Sequence, residues 1–216
     1  MKSITKEIIL LLIAIAPLVL LAFVYANLPD TVPTHWGFNG ADAWGPKSQL
    51  IYLPGLIGPG FYLLSFFLPR LDPKGRLAQM GEKWFSLRLL LQLFFTALGF
   101  FIIYQTANSV QDYSSFLMVL FGVFFAALGN YFQTIRPNYF IGIRTPWTLE
   151  NEQVWRETHQ LGGKISMIGG LLMMPLYFVS NQYFQAFAFI ALVIVIALVP
   201  VVYSYIRYRA ISNNTK

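Results

Sequence analysis

The residues able to do chemistry gather in one polar stretch, residues 133–164. Arg136 and Arg144 bracket Pro137-Asn138-Tyr139-Phe140-Ile141-Gly142-Ile143, Thr145-Pro146-Trp147 follows, and Glu152, Trp155 and His159 lie beyond. A guanidinium binds phosphate or carboxylate through two parallel hydrogen bonds, so the arginine pair is a candidate anion or partner site. Lipid phosphate is the simplest such anion, and on residue types alone it is the favoured one. Arg144, Glu152 and His159 also hold the parts of an acid–base set for a lipid or peptide at a membrane face. The established catalytic spacings are absent: no His-Glu-x-x-His, no Gly-x-Ser-x-Gly and no P-loop. A second group, Pro33, His35, Trp36, Asn39, Asp42 and Trp44, lies in residues 27–49 and offers good contact side chains for a ligand. His35 with Asp30 or Asp42 supplies too few donors, without a motif, for a metal site. With no cysteine there is no thiolate site or disulfide, and the sequence implies no metal and no cofactor.

These residues must be positioned by a chain that is poorly suited to water. Of 216 residues 56% are hydrophobic and only 11% charged, and the mean hydropathy is +0.58. A soluble domain carries about 25% charged residues to wet its surface, so the excess apolar surface must face lipid. Six runs are apolar and free of Asp, Glu, Lys and Arg: residues 8–26, 50–69, 89–105, 116–132, 165–180 and 183–206. They lack the alternation of barrel strands, and in hydrocarbon a continuous run must satisfy its backbone as a helix. The expected fold is therefore an all-α polytopic membrane protein of six transmembrane helices. It divides loosely into halves 1–110 and 111–216, each with three spans.

Charge gives the orientation. Lys2 and Lys6 precede the first run; Arg70, Lys74, Arg76, Lys83 and Arg88 follow the second; Arg136, Arg144, Arg156 and Lys164 follow the fourth; Arg207, Arg209 and Lys216 end the chain. On the other side stands Lys47 alone. Positive charge is retained in the cytoplasm, so both termini are expected inside, the 27–49 loop outside and the 133–164 loop inside. The basic pI then reads as attraction to anionic headgroups and implies no direct nucleic-acid partner. A cleaved signal peptide at the start conflicts with this pattern and with the length of the first run, so the run is expected to stay. No ionisable residue falls within a run, which argues against a proton-coupled pump, and His35 and His159 should lie on opposite faces. Pro54, Gly55, Gly58, Pro59 and Gly60 can break the second helix as in some transporters, although close packing is the commoner use.

Within the inner loop, Thr148 is a candidate N-cap with Glu150 and Glu152 near the positive helix end. Val154, Trp155, Thr158 and Leu161 recur at one-sided spacing, and Glu152 with Arg156 makes an i,i+4 pair. This predicts a short cytoplasmic interfacial helix ended by Gly162-Gly163.

The stretch Asn138-Tyr-Phe-Ile-Gly-Ile-Arg-Thr-Pro-Trp-Thr-Leu149, followed by Glu152, Val154-Trp155 and Thr158-His159, resembles the signature of the SdpI family. Leu28-Pro-Asp-Thr-Val-Pro-Thr-His-Trp36 resembles the amino-terminal domain of unknown function that accompanies it. The resemblance implies a protein of the bacterial plasma membrane that confers immunity to a secreted antimicrobial peptide and signals by drawing a small cytoplasmic repressor to the membrane. It makes Arg136, Asn138, Gly142, Arg144, Thr145, Pro146, Trp147, Glu152, Trp155 and His159 the expected partner-binding face inside. Pro33, His35, Trp36, Asn39, Asp42 and Trp44 become the expected ligand face outside. A small transporter or lipid-handling protein, and a membrane enzyme acting at the inner face, remain the other classes that the residues allow.

Overall fold

The computed structural model describes residues 3–37, 40–108 and 114–214. It is mostly helical: α1 (Ser3–Val24), α2 (Leu56–Leu71), α3 (Arg76–Gln79), α4 (Glu82–Asn108), α5 (Ser114–Phe132), α6 (Pro146–Glu150), α7 (Glu152–Met173) and α8 (Gln182–Asn214), with one hairpin of β1 (Thr31–Gly37) and β2 (Gly40–Pro46). Four helical stretches, Ile4–Asn27, Glu82–Asn108, Glu152–Phe178 and Gln182–Asn213, are long and apolar enough to cross a membrane. Leu56–Leu71 and Phe116–Phe132 are apolar but shorter. Large side chains such as Phe23, Phe178 and Phe187 stand mostly exposed, which suits a surface solvated by lipid rather than water. The chain forms two compact units, Met1–Leu120 and Phe121–Lys216.

In the first unit α1 packs on α2 and α4. Its buried positions, Leu10, Ala14, Pro17 and Leu21, recur every three or four residues and so line one face. Pro17 has no N–H, and the carbonyl of Ile13, four residues back, loses its helical donor. The hydroxyl of Thr96 on α4 donates to that same Ile13 oxygen at 2.9 Å. An unpaired carbonyl in hydrocarbon is costly, so the proline inside the helix and the threonine act together. Thr96→Val is expected to destabilise the protein by about 1–3 kcal/mol, read as a lower unfolding temperature in detergent. Close approach sets the α1–α2 crossing: a Cβ on Gly58 would lie 2.8 Å from the Ala14 carbonyl.

The helices run past their charge-free cores, which brings Glu7 and Arg88 inside α1 and α4. Arg88 is 5% exposed and grips Glu7 with two hydrogen bonds, Nη1–Oε1 2.6 Å and Nη2–Oε2 2.9 Å, while its Nε donates to Ser65 of α2 at 3.1 Å. One ion pair thus ties three helices. Gln92, one turn along α4, is equally buried. At the end of α1, Leu21, Leu28, Val32, Leu50 and Ile103 form an apolar cluster that seats the hairpin.

The hairpin is one element that the all-helical expectation did not include. Its strands pair antiparallel from Thr31↔Pro46 to Gly37↔Gly40, with bulges around His35. Pro33 and His35 weaken a strand reading of the sequence, and those bulges are where the ladder accommodates them. Lys47, the isolated basic residue of this segment, closes the base: its N–H donates to the Asp30 carbonyl at 2.9 Å and its ammonium meets the Asp30 carboxylate at 3.0 Å.

In the second unit α7 is the hub. Gly163 and Gly170 face α5, where a Cβ on Gly163 would lie 2.5 Å from the Gly129 carbonyl and one on Gly170 2.5 Å from the Gly122 carbonyl. Gly162 and Gly169, on the adjoining face, meet Pro200 and Ile196 of α8. These glycines correct the expected helix end at Gly162-Gly163. In place of a short separate interfacial helix there is one continuous 22-residue helix, and its first turns carry the motif residues. Glycine ends helices in water by freeing the backbone to turn; between apolar helices it more often removes side-chain bulk so that backbones meet.

Candidate functional site

The inner motif folds around Asn138, which is 1% exposed. Its Oδ1 accepts from the N–H groups of Phe140 (2.9 Å) and Ile141 (2.8 Å), and its Nδ2 donates to the carbonyls of Arg136 (3.0 Å) and Ile141 (3.1 Å). Four bonds from one amide make a tight turn that no apolar residue can copy. The turn delivers Gly142, whose φ of 109° lies in the region open to glycine. A side chain there would also run into His159 Nε2.

His159 fastens this turn to α7. Its Nε2 accepts from the Ile143 N–H at 2.9 Å, so Nδ1 must carry the proton, which it donates to the Trp155 carbonyl at 2.8 Å. The imidazole stacks on Trp155 with centroids 4.1 Å apart, and Phe132 meets it edge-on at 6.0 Å. Trp155 is fully buried, and its Nε1 donates to the Ile135 carbonyl at 3.1 Å. Both ring nitrogens of His159 are committed, which leaves none free to take a proton from a substrate. Arg144, Glu152 and His159 are therefore not assembled as an acid–base set.

Thr145, rather than Thr148, caps a helix. Its hydroxyl accepts from the Thr148 N–H at 3.2 Å, Pro146 takes the first helical position, and the Thr148 hydroxyl accepts from the Thr145 N–H at 3.0 Å. Thr148 also donates to the Ile143 carbonyl at 2.8 Å. Asn151 then caps α7, its Oδ1 accepting from Gln153 (2.9 Å) and Val154 (3.1 Å). The Thr145 hydroxyl lies 3.1 Å from that of Ser204 on α8, and Trp147 packs on Tyr205 with centroids 5.0 Å apart. Glu157 pairs with Arg207, and the Tyr208 hydroxyl donates to Glu150 at 2.9 Å, fixing the same helices.

The motif thus splits into two kinds of residue. Asn138, Gly142, Thr145, Trp155 and His159 are committed to internal bonds or close packing. Arg136, Arg144, Pro146 and Glu152 stay exposed, with Arg144 donating to the Tyr139 carbonyl. The expected Glu152–Arg156 ion pair does not form among the described residues; both side chains instead line a cleft of about 350 Å³. Sequence reasoning missed Ser204, Phe132 and Ile135, because a hydroxyl, a ring and a carbonyl at the edge of apolar runs carry no signal of a polar partner.

On the hairpin, Pro33 is buried and opposes Trp44, which is 60% exposed. His35 Nδ1 lies 2.5 Å from Asp42 Oδ1, whereas Asp30 is taken by Lys47, so the three do not converge. Trp36 belongs to β1, and Asn39 lies outside the described residues. No three metal-ligating side chains cluster among the described residues.

Residues 134–204 match the SdpI/YfhL protein family, a window running from the end of α5 through the motif to Ser204. Residues 12–58 match DUF1648, a domain of unknown function, covering the later part of α1, the hairpin and the crossing at Gly58. Over 209 residues, 97% of this chain and 99% of the relative, the sequence is 25% identical to immunity protein SdpI of Bacillus subtilis (strain 168). No solved structure matches the chain significantly. The two windows enclose the hairpin and the bonded motif described above, so the chain carries an SdpI/YfhL family segment over residues 134–204 and a DUF1648 segment over residues 12–58.

Proposed function

We propose that this membrane protein is an immunity protein of the bacterial plasma membrane. It crosses the bilayer six times with both ends in the cytoplasm, meets a secreted killing peptide at the hairpin, and engages a cytoplasmic regulator at the motif loop. The observation that carries the reading is the end-to-end similarity to an immunity protein, 97% of one chain against 99% of the other. Charge supports the topology, with Lys47 alone among fifteen basic residues outside. The 16 residues of α2 and 19 of α5 reach roughly 24 and 28 Å, against a hydrocarbon core of about 30 Å. Flanking residues complete both crossings. The exposed members of the motif, Arg144 above all, form the face left for a regulator.

The test is survival and membrane potential of a sensitive bacterium challenged with membrane-active killing peptides. Cells expressing the intact protein should survive, and cells with Arg144→Ala at matched membrane levels should not. Arg144 is exposed and, among the described residues, bonds only to the Tyr139 carbonyl, so its loss leaves the fold in place. If the intact protein protects against no peptide while reaching the membrane, the immunity reading is wrong and solute flux in liposomes becomes the next assay.

A further inference from the structure

The cleft beside α7 has a composition that protection alone does not explain. Its walls are the turn after α5 and the exposed face of the first turns of α7, and it holds Gln133, Arg136, Glu152, Trp155, Arg156 and Gln160 in a volume of about 350 Å³. Arg136 and Arg156 are exposed, and among the described residues neither makes a close ion pair, although the Arg156 charge reaches Glu157 at longer range. Two arginines and one glutamate on one cleft leave it a net positive charge, which favours an anion. Trp155 also lines the cleft, fully buried and with its N–H already donated to Ile135, so it offers no donor there. The glutamines add neutral donors around the rim.

Position narrows the anion. The cleft sits where the apolar stretch Phe116–Phe132 ends and the stretch Glu152–Phe178 begins, the level at which phosphate groups lie in a bilayer. Its size fits a small group rather than a protein surface. A forked guanidinium matches phosphate oxygens, and two of them match a group with oxygens on both sides. The geometry points to a phosphate-binding cleft held by Arg136 and Arg156. Glu152, exposed on the same rim, opposes the anion and sets how tightly it is held. The inference needs only that the chain is embedded in a membrane, and it stands or falls separately from immunity.

The experiment uses the full-length protein in detergent micelles, with phosphatidylglycerol, phosphatidylcholine and inorganic phosphate as probes and native mass spectrometry to count bound lipid. The intact protein should retain phosphatidylglycerol over phosphatidylcholine. Arg136→Gln with Arg156→Gln should weaken that retention about tenfold or more, Glu152→Gln should tighten it, and Arg209→Gln, which removes a charge on α8 outside the cleft, should leave it unchanged. Displacement of the lipid by millimolar inorganic phosphate would identify a free phosphate as a sufficient ligand; resistance to displacement would identify the lipid headgroup. Equal retention by all the variants overturns the inference. So does an equal loss in Arg209→Gln, since bulk charge would then be the cause.

Discussion

Gly163→Ala is expected to force α5 away from α7 and so loosen the second unit. Its new carbon would sit 2.5 Å from the Gly129 carbonyl, and the reciprocal contact, a Cβ on Gly129 against the Gly163 carbonyl, is equally short. Both obstacles are backbone, so no rotamer change relieves them. The two helices must separate, which also strains the crossing one heptad away at Gly122 and Gly170. Overpacking of this kind costs about 3 kcal/mol. By the scaling of soluble domains of this size, the unfolding temperature in detergent should fall by about 6–12 °C. Gly163→Val should be worse. Gly60→Ala is the matched control, because nothing lies within 4 Å of its added carbon and alanine favours a helix. An unchanged melting curve for Gly163→Ala would mean that α5 and α7 do not meet at these glycines.

The second large effect belongs to the ion pair of the first unit. Arg88→Met removes the two hydrogen bonds that the guanidinium gives Glu7, leaves the carboxylate only the Tyr62 hydroxyl among the described residues, and removes the donor to Ser65. Breaking a buried pair from one side costs about 3–5 kcal/mol. Glu7 is 27% exposed, so water relieves part of the carboxylate's loss and the lower end applies. Glu7→Gln should cost a similar amount, because the guanidinium left behind is the more deeply buried partner. The double variant Glu7→Gln with Arg88→Met should recover much of the loss, since no stranded charge remains. A thermal-unfolding cycle over the four proteins gives the coupling directly; additive losses would show that the two side chains do not pair.

The two predictions mark where sequence was readable. Long apolar runs announce helices by composition alone, because composition is an average over many positions. Helix ends and partners depend on single contacts. Glu7 and Arg88 look like ordinary edge charges until they are seen to neutralise each other. Gly162-Gly163 looks like a terminator until α5 and α8 are placed against it. The motif of residues 138–159 stood out as a unit, yet its types did not show which members face inward. His159 resembles a catalytic base when only residue types are known, and is a structural staple in three dimensions. Thr145 and Thr148 differ by one turn, and the choice of cap between them was decided by Pro146, which needs a helix's first position. The hairpin was hidden because proline and histidine interrupt the strand pattern.

The bond between Thr96 and the Ile13 carbonyl has a consequence for biogenesis. The two residues are 83 positions apart, so α1 leaves the ribosome long before the hydroxyl that completes it has been made. At about 5–20 residues per second that interval is roughly 4–17 seconds. Throughout it the carbonyl opened by Pro17 has no protein donor from α4, and the first helix is better kept beside the aqueous, protein-lined insertion machinery than released into lipid. Arrival of α4 supplies Thr96 and Arg88 together, closing the carbonyl and neutralising Glu7 in one step. Thus α1 is finished only when α4 has been made.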